Sequence, residues 1–180
     1  GGIAGFYTYG PLGKLLKNNV EEVIRRKFQS ENFWEMEAPI IQPKKVWEAS
    51  GHMSSFTDPM IECSKCKSKF RADNLIEEVC PDLNFKEKDI LSIVKEKNIK
   101  CPGCKSNFVM KIVNHSLMMP TTVGVDKEVF LRGETATTTY LPFKRYVEFF
   151  RNKVPFGIFQ IGKAFRNEIS PRQLMMRLRE

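Results

Sequence analysis

The chain has 180 residues, 29 Lys and Arg against 21 Asp and Glu, a formal net charge of +8 and a sequence pI near 9.3. A hydrophobic share of 42% with 11% aromatics can bury a core, which argues against intrinsic disorder, and no apolar run approaches the roughly 20 residues that cross a bilayer. The first ten residues lack the basic and apolar regions of a secretory signal, so the expectation is a soluble, cytoplasmic protein of one domain with an insertion.

After the turn signal Gly10-Pro11, Leu12, Leu15, Leu16, Val20, Val23, Ile24 and Phe28 recur at helical spacing with charged residues between them, predicting a long amphipathic helix. The stretch from Glu35 to Gln42 then alternates Met36, Ala38 and Ile40 like a strand. Pro39 has no amide hydrogen, so that strand belongs at an edge, a bulge or a subunit contact.

From about residue 61 to residue 112 the texture becomes Lys-rich and weakly apolar, bracketed by Cys63-Ser64-Lys65-Cys66 and Cys101-Pro102-Gly103-Cys104. Two such pairs supply the tetrahedral four-sulfur shell that zinc accepts at roughly 2.3 Å per bond. A redox pair would sit at the start of a helix in a βαβ context, which surrounds neither pair; reduced, unligated thiols are the other alternative. With Cys63, Cys66, Cys101 and Cys104 as ligands no coordination position stays open, so the expected zinc is structural. Cys80, followed by Pro81, reads as a spare thiol.

Downstream, Phe130-Leu131-Arg132 predicts a short strand, and Glu134 falls at the junction with a following helix marked by Tyr140, Phe143, Val147 and Phe150. A carboxylate there can cap the helix start or pair with a cationic amino group. Two strands, Ile158 to Glu168 and Leu174 to Glu180, are predicted to form an antiparallel hairpin across Ser170-Pro171-Arg172. Alternation puts Gly162 and Ala164 on one face as a shallow floor, with Arg166 and Glu168 beside it. Such a face suits a flat ligand whose phosphate meets Arg166 and whose amino group meets Glu168. A surface ion pair between Glu168 and an arginine of the return strand is the plainer reading, worth at most about 1 kcal/mol. Arg177 and Arg179 share a face of that return strand, and the last 18 residues, with five Lys and Arg against two Asp and Glu, are the most basic part of the chain. Clustered positive charge suits a nucleotide or nucleic-acid partner, or it is a solvated basic face. Helices, an edge strand, an insertion and a hairpin together predict an α+β domain.

The segment Phe165-Arg166-Asn167-Glu168-Ile169-Ser170-Pro171-Arg172 resembles motif 2 of the class II aminoacyl-tRNA synthetases, in the wording of the dimeric archaeal and eukaryotic glycyl-tRNA synthetases. The run from Gly5 to Gly13, Ser50-Gly51-His52 with Phe56 and Asp58, and Phe70-Arg71-Ala72-Asp73 resemble the same family in the same order. The long helix and the strand through Pro39 resemble motif 1, which in that family builds a homodimer interface.

The resemblance implies a class II antiparallel sheet flanked by helices, with residues 1–60 carrying motif 1, 61–112 the zinc-binding insertion, and 113–180 the glycine-binding segment and motif 2. It also implies roles for single residues. Arg166 would bind the ATP α-phosphate and the activated carboxylate, Glu168 the adenine amino group, and Arg172 and Arg177 would lie near ATP. Glu134 would hold the α-ammonium of glycine with Arg132 beside it. The activity would be glycine–tRNA ligation with ATP and Mg²⁺, on glycine and tRNA(Gly), with no membrane partner. The family usually has proline at Gly133 and Gln-Gly at Thr137-Thr138. Motif 3 and an anticodon-binding domain do not occur in these 180 residues, so a fragment, or a second chain supplying motif 3, is expected. Two alternatives are a non-enzymatic zinc-ribbon RNA-binding module and a class II paralogue of different amino-acid specificity.

Overall fold

The computed structural model describes residues 2–169 and 178–180. They form two compact units, one running to Ser54 and resuming at Met118, the other Ser55–Leu117.

In the first unit, Pro11 at the helix start has the backbone angle a first turn requires, and α1 runs Pro11–Ser30. Asn32, at a φ of 62°, turns the chain out of it. The pairs Lys17–Glu21 (3.5 Å) and Lys27–Glu31 (2.6 Å) support its polar faces, and Arg25 forks onto Glu35 at 2.6 and 3.0 Å. The predicted apolar stripe is present but uncovered: its seven residues are exposed, from 39% at Phe28 to 82% at Leu12.

The strand expected through Pro39 is not formed. Instead β1 (Phe33–Glu35) and β2 (Ile41–Pro43) flank it, and the connection serves as an acceptor row: the carbonyls of Ala38, Pro39 and Ile40 take hydrogen bonds from Arg132 Nη1, Gln42 Nε2 and the Arg132 amide. Pro39 could give no ladder bond, so the chain used its neighbours' carbonyls. In the sheet that β2 joins, the prolines that do enter strands are Pro43, at the end of β2, and Pro120, in the strand Met119–Val123, both of them edge strands. After β2 come α2 (Lys44–Ala49) and α3 (His52–Ser55), joined by Ser50 and Gly51, the latter at a φ of 81°.

The second unit holds β3 (Thr57–Cys63), β4 (Lys69–Arg71), α4 (Ala72–Val79), a 3₁₀ turn (Glu87–Asp89), α5 (Ile90–Glu96) and β5 (Phe108–Ser116). β3 lies between β4 and β5 in an antiparallel sheet. Leu75 and Ile76 on α4 and Ile90 and Val94 on α5 join Ile61 and Phe108 in a buried cluster that includes Cys63 and Cys101.

Back in the first unit, β6 (Met119–Val123) and β7 (Lys127–Leu131) complete an antiparallel sheet in the order β2-β7-β6, so the strand expected at Phe130 is its centre. The expected second helix is two, α6 (Ala136–Tyr140) and α7 (Phe143–Phe149), because Pro142 between them cannot continue a helix. The last strand, β8 (Gly157–Phe159), pairs with β1 in parallel, and Phe159 stacks on Phe28 at 4.9 Å.

The hairpin expected from Ile158 to Glu168 and Leu174 to Glu180 is only partly recognisable. Strand geometry stops at Phe159, and among the described residues the two stretches are joined by one backbone bond, Arg166 N–H to the Arg179 carbonyl at 3.0 Å, and by side-chain bonds from Arg179 to the Glu168 carbonyl and from Lys163 to Glu180. Residues 170–177 lie outside the described residues. The expected class II sheet therefore reduces to a mixed α/β arrangement with antiparallel sheets.

Candidate active site and metal centre

The buried Arg132 leaves β7 and spends its guanidinium on the first unit. Nε donates to the Lys163 carbonyl at 2.7 Å, and Nη1 donates to the Ala38 carbonyl at 3.1 Å and to Gln160 Oε1 at 2.9 Å. Desolvation pulls its pKa below the usual arginine value, opposed by the charge of Glu37. A Cβ on Gly162 would collide with Nη2 and lie 3.3 Å from Cζ, so this glycine makes room for Arg132. The Cβ side of Gly162 is thus taken up by Arg132, while Gly162 and Ala164 also line a cavity with Tyr7 and Tyr9. Gln160 uses its amide nitrogen as well, donating to the Thr135 carbonyl, Thr138 Oγ1 and Thr139 Oγ1 at 2.6–3.0 Å, which ties the segment after β8 to the start of α6.

Glu134 is held between these two anchors. Its Oε1 accepts from Thr137 Oγ1 at 3.0 Å and lies 3.3 Å from His52 Nε2. His52 Nδ1 is 2.9 Å from Ser50 Oγ, and the imidazole edge packs on the fully buried Trp47 ring at 5.2 Å. Sequence reasoning gave His52 no role. The one signal for it was the Ser50-Gly51-His52 resemblance, and Glu134 is 82 residues away.

Arg166 Nε donates to the Gly133 carbonyl at 3.2 Å, which brings Arg166 beside the residue preceding Glu134. Arg166 is exposed and Glu168 is buried, and both lie past the end of β8 at Phe159, where strand alternation no longer applies. A tight turn, Glu168 N–H to the Arg166 carbonyl at 2.8 Å, separates them. Arg179 bonds the Glu168 carbonyl at 2.8 Å through Nε, and the Ala4 carbonyl through Nη1 at 3.0 Å. Arg172 and Arg177 lie outside the described residues.

In the second unit the two cysteine pairs converge. The Sγ atoms of Cys63, Cys66, Cys101 and Cys104 all lie within 4.8 Å of one another, with 3.4 Å between Cys63 and Cys104 and 3.7 Å between Cys66 and Cys101. A tetrahedral zinc with bonds of roughly 2.3 Å puts its sulfurs roughly 3.8 Å apart, so the donor set fits the ion. Each pair sits on the same turn. The amides of Lys67 and Lys105 return to the carbonyls of Cys63 and Cys101, and those of Cys63 and Cys101 bond the carbonyls of Ser68 and Ser106. Lys67 and Lys105 both take positive φ, 59° and 57°. Hydroxyl and amide groups of Ser106 draw the Cys104 thiol down to about 6, and those of Ser68 lower Cys66. Burial pushes Cys63 up to about 11. Cys80 is not in the cluster.

No protein-family model matches the chain. Over its whole length it is 50% identical to the glycine–tRNA ligases of Pyrococcus abyssi and Pyrococcus furiosus, and 48% identical to that of Methanococcus maripaludis strain C7. It spans 32% of each of these relatives. Among solved structures, the RNA binding domain of threonyl-tRNA synthetase from Cryptosporidium parvum shares the fold, with a TM-score of 0.56 at 18% identity, over 98% of this chain and 29% of that one. The resemblance to glycyl-tRNA synthetases therefore holds along the entire chain.

Proposed function

We propose that this chain, similar along its whole length to one segment of the glycine–tRNA ligases, is the part of such a ligase that binds glycine and one side of ATP. The observation that carries the reading is identity of about 50% over an alignment that covers the whole chain. The reaction is attack by a glycine carboxylate oxygen on the α-phosphorus of ATP with loss of pyrophosphate. The terminal ribose hydroxyl of tRNA(Gly) then attacks the glycyl carbonyl and AMP leaves.

In this reading Arg166 meets the α-phosphate and offsets the charge that develops there, as a preorganised donor in a water-poor site does. Glu134 pairs with the glycine ammonium. Arg132 acts behind it: Nε and Nη1 donate to Lys163, Ala38 and Gln160 and so fix the backbone that leads into Gly133 and Glu134. Glu168 accepts from the adenine amino group, and Arg172 and Arg177 complete the ATP side. Neither step needs a protein nucleophile, so rate comes from positioning and charge. Mg²⁺ would neutralise the ATP phosphates; no residue of this chain is assigned to it. Zinc would be held by Cys63, Cys66, Cys101 and Cys104 and would fasten two turns of the second unit without taking part in chemistry. The uncovered stripe of α1 would be the contact of a homodimer, and the setting would be the cytoplasm. Residues 1–60, 61–112 and 113–180 would carry motif 1, the zinc-binding insertion and the glycine and motif 2 segments.

The test grafts the chain into the P. abyssi ligase in place of its matching segment and follows ATP–pyrophosphate exchange. Arg166→Ala should lower glycine-dependent exchange by about 100-fold. Exchange close to that of the unmutated graft would remove Arg166 from the reaction.

A further inference from the structure

We propose that His52 is a positioning residue for the amino-acid site: with Thr137 it holds Oε1 of Glu134, which leaves Oε2 to meet the substrate ammonium. The inference rests on the reading of Glu134 given above. Thr137 Oγ1 at 3.0 Å and His52 Nε2 at 3.3 Å converge on the same carboxylate oxygen. No contact among the described residues engages the other. The Glu134 side chain is 37% exposed, so without partners it would sample several rotamers.

The imidazole is well placed to stop that. Its own side chain is only 15% exposed, with Nδ1 on Ser50 Oγ at 2.9 Å and the ring edge on Trp47. Ser50 is itself fixed as the C-cap of α2, its amide bonded to the Val46 carbonyl at 3.1 Å, and Gly51 takes the left-handed turn that brings His52 round. The arrangement is a relay of positions from a buried indole to an exposed carboxylate. It also fixes the proton. A bare nitrogen facing a carboxylate oxygen at 3.3 Å would repel it, so Nε2 is the nitrogen that carries the hydrogen whichever way the Ser50 hydroxyl points.

The primary test is ¹⁵N NMR of the imidazoles in the 180-residue chain. With only two histidines, a His115→Gln variant assigns the signals. A protonated Nε2 on His52 whose resonance moves in Glu134→Gln is expected; an unprotonated Nε2, or one indifferent to Glu134→Gln, overturns the inference. The second test uses the grafted ligase. His52→Ala should raise the glycine KM roughly 10- to 100-fold while leaving the ATP KM within about twofold, and His52→Gln, which keeps a donor near the Nε2 position, should restore most of it. If Glu134→Gln raises the glycine KM and His52→Ala does not, the positioning role fails and the ligase reading stands. If neither variant moves it, the assignment of Glu134 fails as well.

Discussion

Arg132 and Gly162 form a matched pair in which the arginine fills the space a side chain would need. Gly162→Ala should therefore cost about 1–3 kcal/mol, since the guanidinium is pinned by three bonds and cannot swing aside without breaking them. Arg132→Met should cost about 3 kcal/mol by stranding the acceptors of Ala38, Lys163 and Gln160. Urea denaturation of each variant and of the double mutant checks this: Gly162→Ala should cost much less in the Arg132→Met background, and full additivity would mean the two do not meet. Glu134 was legible as a carboxylate at a strand-to-helix junction, with capping and ammonium binding both open. Its partners were only partly legible. Thr137 is three residues on, within local reach, whereas His52 reaches it through tertiary packing that no periodicity records. The sequence also suggested that Arg166 and Glu168 project together. Alternation holds only while a strand lasts, and β8 ends at Phe159, well before either residue.

At the scale of elements, α1 was legible because one face repeats through 20 residues from a proline start. The stretch through Pro39 was misread as a strand because alternating Met36, Ala38 and Ile40 satisfies a strand template, while the backbone there serves Arg132 and Gln42 as acceptors. The cysteine turns were legible from spacing alone, and their shared geometry explains why. A Cys-x-x-Cys pair closes one tight turn, and two closed turns can face one ion. Cys63 and Cys101 also belong to the buried cluster of the second unit, so a metal held there would be coupled to the core. Purified chain should contain one zinc, and Cys101→Ser should lose it together with near-UV circular dichroism from Phe70 and Phe108, whose rings meet at 6.0 Å. A metal-free chain with an unchanged spectrum would defeat the zinc reading.

For the molecule as a whole, the charge of +8 is uneven: residues 1–59 balance, and the excess lies beyond them. An apolar-faced α1 within the charge-balanced stretch 1–59, with the excess charge in the remaining segments, suits a helix that meets a second copy while other surfaces meet nucleotide and RNA. If so, Val20→Asp, on the exposed stripe, should convert a dimer to a monomer in sedimentation equilibrium; a chain that is monomeric already would remove α1 from that role. Among the described residues no helix is long and apolar enough to cross a membrane. The chain spans about a third of its curated relatives, and the activity proposed for it is that of the larger protein. The most direct measurement is therefore ATP–pyrophosphate exchange by the unmutated graft in the P. abyssi ligase against a panel of amino acids. Exchange that depends on glycine and is at least about tenfold slower with alanine or serine is the predicted result, and a folded graft that exchanges with a different amino acid, or with none, would contradict it.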